Sequence, residues 1–162
     1  MYPRAPRPDG SLPVARVTDS IFQEASENYP TDMSKRYNLG ARLFALGRFD
    51  EAIPVFQNSR NDPKFKVPST VALGQAFLEA GFVDEAVDTL KDLIEHYEIK
   101  NDTKYIEMMY WYGRALEKKG DAQPALKAYS GVAQANFNYR DVQARIKRLR
   151  AAAAGTTPPE GK

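Results

Sequence analysis

The chain has no cysteine, one histidine and one tryptophan in 162 residues. Without cysteine there is no disulfide framework, no thiolate metal site and no cysteine nucleophile. His96 stands alone, so one chain cannot form a two-histidine metal site. No apolar run approaches the roughly 18 residues that a membrane-crossing helix needs. The Pro- and Arg-rich start, Met1 to Arg16, lacks the apolar stretch of a signal peptide. The lack of a signal-peptide stretch and of a membrane-crossing run makes a cytoplasmic location the expectation, while the lack of cysteine does not settle the compartment. A Gly-rich phosphate loop and a Gly-x-Ser-x-Gly elbow are also missing. Carboxylate pairs do occur, as Asp50-Glu51, Asp84-Glu85 and Asp88-Asp92. The first two recur at matching points of an internal repeat, which suits helix caps and solvated faces better than acid–base chemistry. No catalytic constellation emerges, and the expectation is a non-enzymatic protein with no cofactor and no metal.

Charge of one sign is scarce as well. The net charge is +2, with 43% apolar and 27% charged residues, an ordinary globular mix. Residues 1–16 are net basic, residues 17–135 mildly acidic, and residues 136–162 basic again. A dedicated nucleic-acid protein would have a basic body. The one candidate for such binding is Arg140, Arg145, Lys147, Arg148 and Arg150 near the C-terminus, which fit a solubilising helix end better because no aromatic residues alternate with the arginines.

What the sequence does contain is repetition. Tyr37-Asn38-Leu39-Gly40-Ala41-Arg42-Leu43-Phe44-Ala45-Leu46-Gly47-Arg48-Phe49-Asp50-Glu51-Ala52 aligns with Val71 to Ala86 at an offset of 34, so that Leu-Gly, the second Gly and Asp-Glu-Ala coincide. A third copy runs from Tyr112-Gly113-Arg114-Ala115-Leu116 through Gly120-Asp121 to Ala125, after an insertion of about five residues around Tyr97–Asp102. Leu39, Leu43 and Leu46 recur at helical spacing, as do Leu73, Phe77 and Ala80. Gly40, Gly74 and Gly113 fall inside helices, where each costs up to about 1 kcal/mol against Ala. Close approach of a second helix would offset that cost. Gly47, Gly81 and Gly120 fit the left-handed position past a helix end. Asp50, Asp84 and Asp121 fit N-caps of the following helices. The spacing predicts helical hairpins at about 33–46/50–60, 68–80/84–97 and 103–119/122–135, with Gly74 at a helix crossing. Pro54 should remove one backbone bond, and Pro124 should be harmless in a first turn.

These residues resemble the tetratricopeptide repeat (TPR) family, over about residues 33–135. The second-helix pairs Ala52/Phe56, Ala86/Leu90 and Ala125/Tyr129, and Pro63 closing the first copy, carry the resemblance further. The usual first-helix Trp is replaced by Arg36, Thr70 and Met109, so the copies are divergent. The resemblance implies an all-α, right-handed α-solenoid of three helical hairpins, with repeats at about 33–66, 67–102 and 103–136. An N-terminal flanking helix is expected from the capping box at Ser20-Ile21-Phe22-Gln23 and the stripe Ile21, Phe22, Ala25 and Tyr29. A C-terminal capping helix is expected at about 139–150, with Val142, Ile146 and Leu149 over Leu126, Tyr129 and Val132. Residues 1–16 and 151–162 are expected to be disordered tails flanking a domain over 17–150.

The family further implies a protein–protein interaction module, gripping a partner peptide or helix in a concave groove lined by first helices. By matching positions that lining is Tyr37, Asn38, Ala41 and Phe44, then Val71, Ala72, Gln75 and Leu78, then Tyr110, Trp111, Arg114 and Glu117. The Lys, Asn and Arg positions with which some TPR modules hold a chaperone's terminal carboxylate carry Tyr37, Ala41, Ala72, Glu107 and Trp111 here, so that clamp is absent. An amphipathic helix or extended apolar segment is the expected ligand. The alternatives are a structural subunit of a larger assembly and nucleic-acid binding through the basic C-terminal helix.

Overall fold

A computed structural model describes residues 32–155. Seven helices and no strand occur among these residues: α1 Met33–Ala45, α2 Phe49–Ser59, α3 Lys66–Ala80, α4 Val83–His96, α5 Thr103–Lys119, α6 Ala122–Ala135 and α7 Val142–Ala153. They match the three expected hairpins and the capping helix to within a few residues. The expected flanking helix at Ser20–Tyr29, the tail at 1–16 and residues 156–162 lie outside the described residues. Two compact units divide within α3, between Ala76 and Phe77.

The turn glycines behave as their spacing implies. Gly47, Gly81 and Gly120 have φ of 74°, 91° and 96°, the left-handed region that a side chain disfavours. The caps differ from expectation. α2 and α4 begin one residue before the aspartates, with Arg48 and Phe82 in the cap position, so Asp50 and Asp84 lie inside the first turn. Asp121 does occupy the cap of α6, but its side chain makes no capping bond. The reason lies in the tight turn: after each left-handed glycine the next amide is already satisfied, Arg48 N–H by Leu43 O and Phe82 N–H by Phe77 O. The aspartates then act through their charge at the positive helix end. Side-chain caps occur instead at Asp32 for α1 and Asp102 for α5. Pro54 sits sixth in α2, where it cannot donate to the Asp50 carbonyl.

In the first unit α1 packs against α2. Leu39, Leu43, Ala52 and Phe56 form the buried surface, with Ala52 fully enclosed. A β-carbon on Gly40 would lie 2.6 Å from Phe56 Cε1, so the glycine admits the ring. Ser59 and Ser69 are both fully buried and share a 2.7 Å hydrogen bond between their hydroxyls, pinning the end of α2 to α3. That pair has no counterpart in the repeat pattern, so the sequence alone gave no sign of it.

In the second unit α5 packs against α4 and α6, and α6 against α7. Leu90, Ala125, Tyr129, Val132 and Val142 share one apolar core. Gly113 repeats the relation of Gly40: a β-carbon there would stand 2.7 Å from Tyr129 Cε1. Val142 and Ile146 are buried, with Leu126 and Leu149 against them, as expected of a capping helix. The helix starts three residues later than expected and continues to Ala153, so 151–153 are helical rather than tail. Its start is set by the turn at residues 136–141, where Arg140 has φ of 43°. The insertion between α4 and α5 is ordered by its own contacts: Lys100 Nζ donates to the carbonyls of Ile94 and Tyr97, and the rings of Tyr97 and Tyr105 stack at 6.5 Å.

Candidate functional site

The first-helix residues separate into those consumed by packing and those left to solvent. In the first unit Asn38 and Ala41 on α1 are exposed, while Tyr37 and Phe44 are half-buried. The Tyr37 ring lies 5.9 Å from Phe56 and 5.8 Å from Phe65, so it braces α1 against α2 and the start of the next hairpin. Phe44 meets Phe49 edge-on at 5.1 Å across the turn. Val71 is buried and Gln75 is half-buried. In the second unit Leu78 and Tyr110 are buried, whereas Trp111 and Arg114 are half-buried. Gly74, expected at a crossing, is buried.

Around Tyr110 the second unit builds a polar and aromatic cluster that links α5, α6, α7 and the turn before α7. The Tyr110 hydroxyl donates to Asp141 Oδ1 at 2.6 Å and accepts from Arg114 Nη1 at 3.3 Å. Its ring meets Trp111 at 5.4 Å, Tyr139 at 5.5 Å and Tyr129 at 6.1 Å. Glu117, one turn beyond Arg114, accepts from the Tyr129 hydroxyl at 2.6 Å, from Arg145 at 2.8 Å and from Arg148 at 3.1 Å. Asp141 Oδ2 stands 3.0 Å from Arg145 Nε.

Glu117 therefore does not line an open surface as an orienting group. It is the anchor for the arginines of α7. Burial pushes its carboxyl up, but the bonds from Tyr129 and Arg145 and the charges of Arg145 and Arg148 outweigh burial and hold it below the ordinary carboxylate range. Asp141 follows the same balance, with burial opposed by Tyr110 and Arg145. Burial, and then donation to Glu117, raise the Tyr129 hydroxyl far above the usual phenol range. Nothing in the spacing of α5 distinguished Glu117 from its exposed neighbours. The signal available was the run of arginines on α7, which needed a counter-charge somewhere if that helix were to dock.

Arg114 and Arg140 are disposed differently. The Arg114 guanidinium lies 5.4 Å from the Trp111 ring and 5.9 Å from Tyr110. That of Arg140 lies 5.5 Å from Trp111, 5.5 Å from Tyr110 and 5.6 Å from Tyr139. Each such contact is worth about 0.5–1 kcal/mol at an exposed site. Among the described residues neither has a carboxylate within ion-pair distance. The indole N–H of Trp111 is buried without an acceptor.

His96 is exposed, and its Nδ1 lies 2.8 Å from the Asp92 carbonyl at the end of α4. Among the described residues no group of three or more His, Asp or Glu is placed to hold a metal ion, and no helix is long and apolar enough to cross a membrane.

Residues 71–139 match the family model described as tetratricopeptide repeat, across the second and third hairpins. Those two hairpins are tetratricopeptide repeats. A solved structure described as MamA RS-1 ArsTM double mutant is similar to it with a TM-score of 0.73, at 14% identity, covering 86% of this chain and 75% of that one. At that identity the likeness speaks for the fold, an all-α solenoid class. No curated protein sequence matches the chain. The second-helix positions Ala52/Phe56, Ala86/Leu90 and Ala125/Tyr129 are all buried, as the family pattern implied.

Proposed function

We propose that the chain is a non-enzymatic TPR module that holds a segment of a protein partner on the first-helix faces of its repeats. The observation that carries the reading is the family match over the second and third hairpins. Support for the location comes from how the side chains are spent. Second helices commit their Ala and aromatic positions to the core, whereas Asn38 and Ala41 in one unit, and Trp111 and Arg114 in the other, keep solvent access. Aromatic and Arg side chains supply most interface energy in protein complexes. Asn38 and Gln75 can bond a partner backbone without reading its side chains.

Nucleic-acid binding by the C-terminal helix is the weaker reading, because Arg145 and Arg148 already face Glu117. The experiment is capture of the native partner by two sets of variants side by side. Asn38→Ala with Arg114→Ala should weaken capture and leave the melting temperature nearly unchanged. Lys147→Ala with Arg150→Ala should capture as well as the parent at physiological salt. The reverse pattern would move binding from the first-helix faces to the basic helix.

A further inference from the structure

The two cations over Trp111, half-buried Arg114 and exposed Arg140, stand apart from the partly buried arginine nearby, which is paired. Arg145, with 15% of its side chain exposed, meets Glu117 and Asp141. Arg114 and Arg140 meet rings and phenol hydroxyls, that of Tyr110 for Arg114 and that of Tyr139 for Arg140. Glu107 acts on Arg140 at longer range, and Asp141 beside them is already committed to Tyr110 and Arg145. Arg140 also occupies the left-handed region, with φ of 43°. A non-glycine residue there costs of order 1–3 kcal/mol, and such positions cluster at ligand-binding sites. In this conformation its guanidinium stands over Trp111, on the ring that Arg114 also approaches.

We infer that Arg114 and Arg140 form a receptor for Asp or Glu side chains of a partner peptide, with the Trp111 and Tyr110 rings as the platform against both guanidiniums and Tyr139 against that of Arg140. This rests on the reading of the chain as a partner-binding module. Planar guanidiniums present paired N–H donors that match a carboxylate, and stacking on a ring pre-organises them at small entropic cost. A nucleic acid fits less well. The aromatic faces that would stack on bases are covered by the guanidiniums. The chaperone-tail clamp itself is absent, since Glu107 and Trp111 stand at two of its positions.

The test uses the whole chain and two libraries of amidated nonapeptides: one with two Asp or Glu among apolar residues, the other with Asn or Gln at those places. Trp111 is the only tryptophan, so its fluorescence reports on the site directly. Acidic members should bind and shift the Trp111 emission, and their amide counterparts should not. Arg114→Gln and Arg140→Asn should each weaken binding about tenfold, a change of roughly 1.4 kcal/mol, with added salt weakening it further. Asn tolerates the left-handed backbone, so Arg140→Asn tests the charge and not the turn. If Arg140→Asn fails to fold, Arg114→Gln alone decides. Equal binding of both libraries, or binding that ignores the arginine changes, overturns the inference; if that binding is lost in Asn38→Ala, the partner-binding reading survives. Preference for a thymidine dodecamer over every acidic peptide also overturns it. Silence of both libraries counts against the inference and leaves the native-partner capture to judge the broader reading.

Discussion

Gly113 and Tyr129 are in such close register that a β-carbon on the glycine would come within 2.7 Å of the ring. The same relation holds between Gly40 and Phe56 at 2.6 Å. Both rings are almost wholly buried, and Tyr129 is also tied to Glu117, so neither can swing aside freely. Gly113→Ala and Gly40→Ala should therefore each destabilise the protein by about 1–3 kcal/mol through overpacking, after allowing for up to about 1 kcal/mol returned by helix propensity. Denaturant titration measures this. Phe56→Leu in the Gly40→Ala background should recover part of the loss; a Gly40→Ala variant as stable as the parent would mean the helices can part without penalty.

Tyr37→Ala should lower the melting temperature, because the ring touches both Phe56 and Phe65. Asn38→Ala, one residue on and exposed, should not. Thermal unfolding of the two variants separates the bracing residue from the surface residue. Equal melting temperatures would leave Tyr37 without a structural role.

Arg145→Ala should destabilise more than Arg148→Ala. Arg145 is 15% exposed and serves two carboxylates, whereas Arg148 is 53% exposed and serves one. Losing a charged partner in a part-buried site costs about 1–3 kcal/mol, and an exposed pair is worth about 0–1 kcal/mol. Chemical denaturation of both variants tests the order.

Acid should loosen α7. Glu117 and Asp141 both have native carboxyls held below their ordinary range. A depressed native value means the unfolded chain binds protons first, so their stabilisation is present in full above the ordinary carboxylate range, near pH 4. It fades as pH falls from there through the lowered native values. Amide exchange in α7 should accelerate over that window, and Glu117→Gln should flatten the dependence. A protection profile unchanged down to pH 3 would rule out the carboxylates as the anchor.

A chain ending at Asn138 should aggregate and melt lower. It uncovers the core around Tyr129 and Val132 and strands Glu117 without its arginines. Light scattering and thermal unfolding would show it, and an unchanged monomer would make α7 dispensable.

The hairpins were legible because their determinants are local. A left-handed glycine, an aspartate at the start of the next helix and a 3.6-residue apolar stripe each act within a few residues, and a repeat states them three times. The buried Ala and aromatic positions of the second helices were legible for the same reason. What the sequence alone could not show was how charges pair across helices. Arg145 and Arg148 read as free cations on a basic helix until packing of α7 on α5 and α6 brought Glu117 to within 2.8 and 3.1 Å of them. Tyr110 and Leu78 read as surface candidates, and packing enclosed them. Arg140 reads as one more cation in the run, and only the turn before α7 sets it over Trp111. Helix periodicity tells which face a residue occupies, but the partner of a charge 28 or 31 residues away depends on where a whole helix docks. That docking is decided by apolar burial over many residues, with the ion pairs following.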